Sequence, residues 1–262
     1  MDLPFEQFPA LSAIGICRHV FVQRIPGIDV SHDKAKVLER LDAAHREIRK
    51  ETGFGDSDEI ASMRRSRCWP LFTAEQVHGN EIAVIDKVGS ALRADRGRRG
   101  AASLPSREFP ACDGIITNQR SVALGIYVAD CCAVYIVDPK TPAIGLVHSG
   151  RKGTELGVVT NAIRQMIERF GSDPANMIVQ LSPCIRPPHY EVDFASEIIR
   201  QCQSIGIKEI HDSGVCTACD LGRYYSYRAE KGKTGRMLAM IGLHPTTAIR
   251  RKIVRNLLRT FV

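Results

Sequence analysis

No run of apolar residues in this 262-residue chain approaches the roughly 18 that a membrane span needs. The first twenty residues, MDLPFEQFPALSAIGICRHV, lack the basic start and long apolar stretch of a secretory signal. These absences predict a cytoplasmic protein with no membrane partner. Nine cysteines are too few for a disulfide scaffold at this length, and the odd number leaves at least one unpaired, which fits a reducing compartment. Each is then first a small core hydrophobe and only second a ligand or nucleophile. The eight histidines are scattered, so the sequence offers no crowd of imidazoles for several coppers.

Acidic charge is also in short supply, with a net charge of +7, but the excess is local. From His244 onward the chain carries Arg250, Arg251, Lys252, Arg255 and Arg259 and no acid, and setting those five aside leaves 31 bases against 29 acids. A second basic cluster, Arg93, Arg96, Arg98 and Arg99, falls in a Gly/Ala/Ser-rich stretch that reads as an exposed loop. RNA-recognition aromatics accompany neither cluster, so a nucleic-acid partner is not expected.

What is present is an apolar fraction of 44%, enough for one large core. Residues 33–51 have helical spacing, with Val37, Leu38, Leu41, Ala44 and Ile48 on one stripe and Ser31 as N-cap. The runs 81–88, 121–128, 133–137, 143–147 and 177–181 predict strands. A helix is expected over 154–170, with Leu156, Val159, Ile163, Met166 and Ile167 inward and Gly171 as its stop. A further helix over 194–205 and a strand over 237–242 complete the body. Because the strand runs cluster instead of alternating with helices, the fold class expected is α+β, mixed β-sheets with helices packed outside. Residues 1–243 form one domain in this reading. Residues 244–262 follow as a basic amphipathic helix that docks on the body or on a second subunit, with Ile249, Ile253, Leu257 and Leu258 on its apolar face.

Four stretches place polar and metal-capable side chains at strand ends and turns: Gln76-Val77-His78-Gly79, Ala129-Asp130-Cys131-Cys132, Val147-His148-Ser149-Gly150 and Ser182-Pro183-Cys184-Ile185. A strand-terminal His followed by Gly lets the backbone turn away and leaves the imidazole at the sheet rim. The spacing of His78, Cys131 and His148 matches no compact zinc pattern, so spacing alone leaves a shared metal and hydrogen-bonded structural roles both open. Cys216 and Cys219, spaced Cys-x-x-Cys, read as a redox couple, half a zinc site or a structural loop.

Read together, six ordered blocks resemble the YfiH-like, laccase-domain family, described both as polyphenol oxidases and as purine nucleoside phosphorylases. They are QVHGN at 76–80, DGIITN at 113–118, VADCCAVYIVD at 128–138, GLVHSGRKGTELGVV at 145–159, SPCIRPPHYEV at 182–192 and YYSYRAEKGKTGRMLAMIG at 224–242. The resemblance implies metal ligation by His78, Cys131 and His148, with zinc as the cofactor and copper as the alternative. It implies phosphorolysis of adenosine, inosine or methylthioadenosine, with adenosine deamination as a side activity. Arg24, Lys152 and Arg228 are the candidate phosphate-binding residues, and Asp130 is expected to orient a ligand. Cys184 and Tyr190, in the fifth block, are expected to line or support the pocket.

Departures from the family are visible too. Where relatives read His-Ala-Gly-Trp-Arg-Gly, this chain has His148-Ser149-Gly150-Arg151-Lys152-Gly153, which removes an aromatic platform and exchanges a planar guanidinium for a point charge. The segment after Arg24 is shorter than the usual glycine-rich stretch and lacks its Asn. Two other enzyme readings compete: copper-dependent oxidation of phenols, and editing of a peptidoglycan precursor with Cys131 as nucleophile and His148 as base. The non-enzymatic alternative is a metal or nucleic-acid binding module.

Overall fold

The computed structural model describes residues 3–55, 69–86 and 107–245, and its architecture is α+β. In chain order the elements are β1 (Phe5–Glu6), α1 (Pro9–Ile14), β2 (Cys17–Val22), α2 (Lys34–Glu51), β3 (Leu71–Ala74), β4 (Ile82–Ile85), β5 (Glu108–Phe109) and β6 (Gly114–Thr117). There follow β7 (Ala123–Val128), β8 (Cys132–Asp138), β9 (Ala143–Ser149), α3 (Arg151–Glu155) and α4 (Val158–Phe170). The described chain closes with β10 (Ile178–Leu181), α5 (Phe194–Ser204), β11 (Glu209–Asp212) and β12 (Met237–Leu243). The strands form two mixed six-stranded sheets, ordered β1-β2-β12-β7-β3-β5 and β11-β10-β8-β9-β6-β4.

All seven residues of β8 and all seven of β9 are buried, which is why both read as unbroken apolar runs. Strand alternation divides them between two cores. Ala133, Tyr135 and Val137 join Val20, Leu124 and Ile241 of the first sheet, whereas Cys132, Val134 and Ile136 join Ile163 and Met166 of α4 and Ile198 of α5. The second sheet is thus sandwiched between the first sheet and two helices. Tyr135 is fully buried, and its hydroxyl donates to the Val20 carbonyl at 2.9 Å, satisfying the one polar atom this large side chain brings inside.

The helix expected over 154–170 is instead two helices, because Gly157 adopts the left-handed conformation (φ 69°) between α3 and α4. Leu156 lies before that break and is 48% exposed, and Ile167 falls off the stripe at 36%, while Val159, Ile163 and Met166 are buried as expected. Gly171 (φ 70°) stops α4, its N–H donating to the Ile167 carbonyl. Asp33, not Ser31, caps α2 by accepting the Lys36 N–H at 3.1 Å; the Ser31 hydroxyl is engaged with Asp29.

Beyond β12, His244 remains attached to the body: its N–H donates to the Ile16 carbonyl at 2.9 Å and its carbonyl accepts from Arg120 at 2.7 Å. Of the helix expected over 244–262, residues 244 and 245 are not helical, and residues 246–262, like the Arg93–Arg99 cluster, lie outside the described residues. Among the described residues, no helix is long and apolar enough to cross a membrane.

Candidate metal centre and substrate cavity

Three rim positions meet at one end of the second sheet. His148 is the penultimate residue of β9, in register opposite Ala133, and its N–H donates to the Asp113 carbonyl at 2.7 Å. Cys131 occupies the tight turn between β7 and β8, made possible by a left-handed Asp130 (φ 82°). His78 follows β3 in a segment where Gln76 (φ 65°) and His78 itself (φ 62°) are also left-handed. Two left-handed residues with only Val77 between them are unusual for residues with a Cβ and need external support. Gln76 obtains it by pairing its amide with both the N–H and the carbonyl of Tyr127. His78 obtains it from Asp113.

Asp113 is fully buried at the head of β6. One carboxylate oxygen accepts the His78 N–H at 2.8 Å and faces Nδ1 of His148 at 2.8 Å; the other accepts the Gly79 N–H at 2.7 Å. Burial alone would push this carboxyl up, but the His148 ring and the two backbone donors outweigh it and hold it below the usual carboxylate value. With Nδ1–H directed at Asp113, His148 is left with Nε2 for a ligand.

The potential ligand atoms of His78, Cys131 and His148 all lie within 4.8 Å of one another, and Sγ of Cys131 is 3.9 Å from Nε2 of His78. Two zinc ligands, one sulfur at about 2.3 Å and one nitrogen at about 2.0–2.1 Å from the ion, sit roughly 3.6 Å apart in a tetrahedron. The donor set and its spacing therefore fit zinc. Gly150 is required for this approach, because a Cβ there would fall 2.5 Å from Sγ of Cys131. Burial disfavours the Cys131 thiolate, yet the facing His148 charge and hydrogen bonds from both imidazoles bring the thiol down to about 6. Burial likewise opposes charge on His148, and the Cys131 thiolate together with Asp113 lifts it to about 9.

The cluster opens into a cavity of about 650 Å³. Its walls include Tyr127, Tyr190 and Tyr227 and the cations Arg151, Arg228, Lys231 and Arg236. Arg228 lies over the Tyr190 ring at 5.3 Å and pairs with Glu191 at 2.8 Å. Burial pulls the Arg236 guanidinium down from its usual value; it donates to the carbonyls of Thr234 and Gly235.

Of the sequence candidates, His78, Cys131, His148 and Arg228 line this cavity, as does Tyr190, whereas Arg24 and Lys152 do not. Arg24 is a clamp: it stacks on Tyr225 at 4.3 Å, donates to the Tyr224 carbonyl and pairs with Glu230 at 2.7 Å. Lys152 is exposed on α3. Asp130 lines the cavity, but its carboxylate touches neither imidazole; it accepts the Thr217 hydroxyl and the Arg228 N–H, each at 2.7 Å, and so fastens two distant loops. Cys184 is packed in the core between sheet and helices. Sequence reasoning missed Asp113 and Arg236. The available signal for Asp113 was an acid opening an otherwise fully buried strand, a placement that demands compensation.

Comparison with known proteins places this geometry in context. The family model described as multi-copper polyphenol oxidoreductase laccase matches residues 55–198 and 193–244. Purine nucleoside phosphorylase YlmD of Bacillus subtilis is 28% identical over 215 residues, covering 70% of this chain and 74% of that protein. Purine nucleoside phosphorylase ORF3 of Streptomyces griseus is 28% identical over 194 residues, covering 64% of this chain and 72% of that protein. Among solved structures, YlmD from Geobacillus stearothermophilus superposes with a TM-score of 0.72 at 22% identity, covering 93% of this chain and all of that one, a likeness of fold.

Proposed function

We propose that this chain, which belongs to the family described as multi-copper polyphenol oxidoreductase laccase, is a zinc-dependent purine nucleoside phosphorylase. Adenosine, inosine or methylthioadenosine would react with phosphate to give free base and the corresponding ribose 1-phosphate. The observation that carries the reading is the convergence of His78, Cys131 and His148 at a cavity walled by tyrosines and cations. Support comes also from relatives such as YlmD, named as purine nucleoside phosphorylases.

In phosphorolysis a C1′–O bond to phosphate forms as the C1′–N9 bond breaks, and the departing electron pair goes to the purine, which takes up a proton. His78, Cys131 and His148 would hold the ion; when bound it supplies Lewis acidity beside the reacting groups. Arg228 and Arg236 are the cations available to phosphate, and the tyrosine rings offer flat faces for the purine. Asp113 fixes the His148 tautomer and the backbone of His78. Copper is the alternative occupant for the same donors. Oxidation of phenols by several coppers finds no support in the ligand inventory, because the two clusters among the described residues hold three imidazoles in all.

The test is to incubate metal-quantified protein with phosphate and a nucleoside panel and to assay free base and ribose 1-phosphate. Activity that is lost on chelation, restored by Zn²⁺ and absent in Cys131→Ala is the expected result; unchanged phosphorolysis after complete metal removal overturns it. Inosine appearing from adenosine in the same panel reads the deaminase activity.

A second reading is favoured by one arrangement. Cys131, His148 and Asp113 stand in the order nucleophile, base and orienting acid, the constellation of a thiol hydrolase. It predicts a metal-free enzyme inactivated by iodoacetamide at Cys131, the opposite of the chelation result above.

A further inference from the structure

We propose that His189, Cys216 and Cys219 form a second zinc site, which fastens together two loops of the cavity wall. His189 lies in the loop between β10 and α5, and Cys216 caps, while Cys219 ends, the single helical turn Thr217–Cys219 between β11 and β12. Nδ1 of His189 is 3.7 Å from Sγ of Cys216 and 3.6 Å from Sγ of Cys219, and all three ligand atoms lie within 4.8 Å of one another. Both nitrogen–sulfur distances agree with the roughly 3.6 Å edge that zinc–sulfur and zinc–nitrogen bonds impose on a tetrahedron. Neither contact is set by chain proximity, since the partners are 27 and 30 positions apart in sequence.

The backbone is already arranged to hold the three donors in place. Cys184 and Cys216 form a parallel bridge, with the Cys184 N–H donating to Val215 and the Thr217 N–H donating to Cys184, each at 3.2 Å. This brings the His189 loop alongside the Cys-x-x-Cys segment. His189 and Cys219 are exposed and Cys216 is buried, so a bound ion would have protein on one side and solvent at its fourth position. Two thiolates and one imidazole are a softer set than the two imidazoles and one thiolate of the first cluster.

The consequence is mechanical. Tyr190, adjacent to His189, lines the cavity, and Thr217, adjacent to Cys216, donates to Asp130 beside Cys131. An ion at this site would tie both segments to each other without touching substrate. The inference does not rest on the phosphorylase reading, because it concerns metal load alone.

The experiment titrates full-length protein with Zn²⁺ under reducing conditions, removes free metal and counts bound zinc by mass spectrometry, with Co²⁺ in parallel to report thiolate coordination by its charge-transfer band. Wild type is expected to hold two ions per chain. Cys219→Ser and His189→Ala, both at exposed positions, should each hold one, as should Cys131→Ser, and the double variant Cys131→Ser/Cys219→Ser none. A wild type with a single ion that survives Cys219→Ser overturns the proposal. So does a Cys216–Cys219 disulfide in protein alkylated and mapped as isolated from cells. If the ion lost in Cys219→Ser is the only one bound, the second site stands and the first fails.

Discussion

The carboxylate of Asp113 faces Nδ1 of His148 at 2.8 Å while accepting the backbone N–H of His78 at the same distance, so one buried side chain orients one imidazole and anchors the backbone that carries the other. Asp113→Asn keeps the shape and removes the charge. Zinc affinity at the first cluster should fall about 10–100-fold, the usual cost of losing such a partner. Competition against a chromogenic chelator measures it, and an unchanged affinity would show that Asp113 merely fills space.

Gly150→Ala puts a methyl carbon 2.5 Å from Sγ of Cys131, and the thiol has to move. The expected outcome is loss of zinc from the first cluster and of nucleoside cleavage, with the far-ultraviolet circular dichroism of the native fold retained. Retention of both metal and turnover would disprove the close approach.

Arg228→Ala and Arg24→Ala should separate cleanly. A lost charged hydrogen bond to phosphate is worth about 1.5–3 kcal/mol, so the Arg228 variant should raise the KM for phosphate about 10-fold or more. The Arg24 variant should leave that KM in place and lower stability by about 1–2 kcal/mol, because it removes a cation stacked on Tyr225 and paired with Glu230. Denaturant melts and phosphate kinetics on both proteins decide the assignment.

Burial lowers His19 and His45 to about 4, and both are almost fully enclosed. The unfolded chain binds protons near pH 6.5 where the folded one does not, so their contribution is complete above about pH 6.5 and is lost as pH falls toward 4. Among the described residues, His45 also has no hydrogen-bond partner for Nε2. His45→Phe should therefore flatten the decline of Tm between about pH 6.5 and pH 4. Chelated protein is the proper sample, since metal release has its own pH dependence. A slope as steep as wild type would contradict the assignment.

Strands β7 to β10 and β12 were legible because enclosure on both faces leaves unbroken apolar runs, as in β8 and β9. Helix α5 was legible from its helical spacing, whereas β2 and the fully buried β6 were not read as strands. β1 and β5 escaped notice because two residues carry no period, and β11, with Glu209 and Asp212 exposed, has no apolar signature. The cluster of His78, Cys131 and His148 could be suspected from turn chemistry, but its convergence depends on β6 and β9 pairing so that Asp113 reaches His148, a long-range fact. The phosphate candidates were read least well. Lys152 sits inside a motif yet is exposed on α3, Arg24 is taken up by Tyr225 and Glu230, and only Arg228 is drawn to the cavity, its N–H donating to Asp130.

The position of β12 has a consequence for biosynthesis. It lies in the interior of the first sheet, bonded on one side to β2 and on the other to β7, although more than a hundred residues of chain separate it from the latter. Until residue 243 has been made, those two neighbours are raw margins able to recruit any passing strand. Pairings this remote form slowly. An interrupted or nicked translation product is thus exposed to aggregation and degradation, and a shortened version for laboratory use should end no earlier than Pro245, beyond the anchoring contacts of His244.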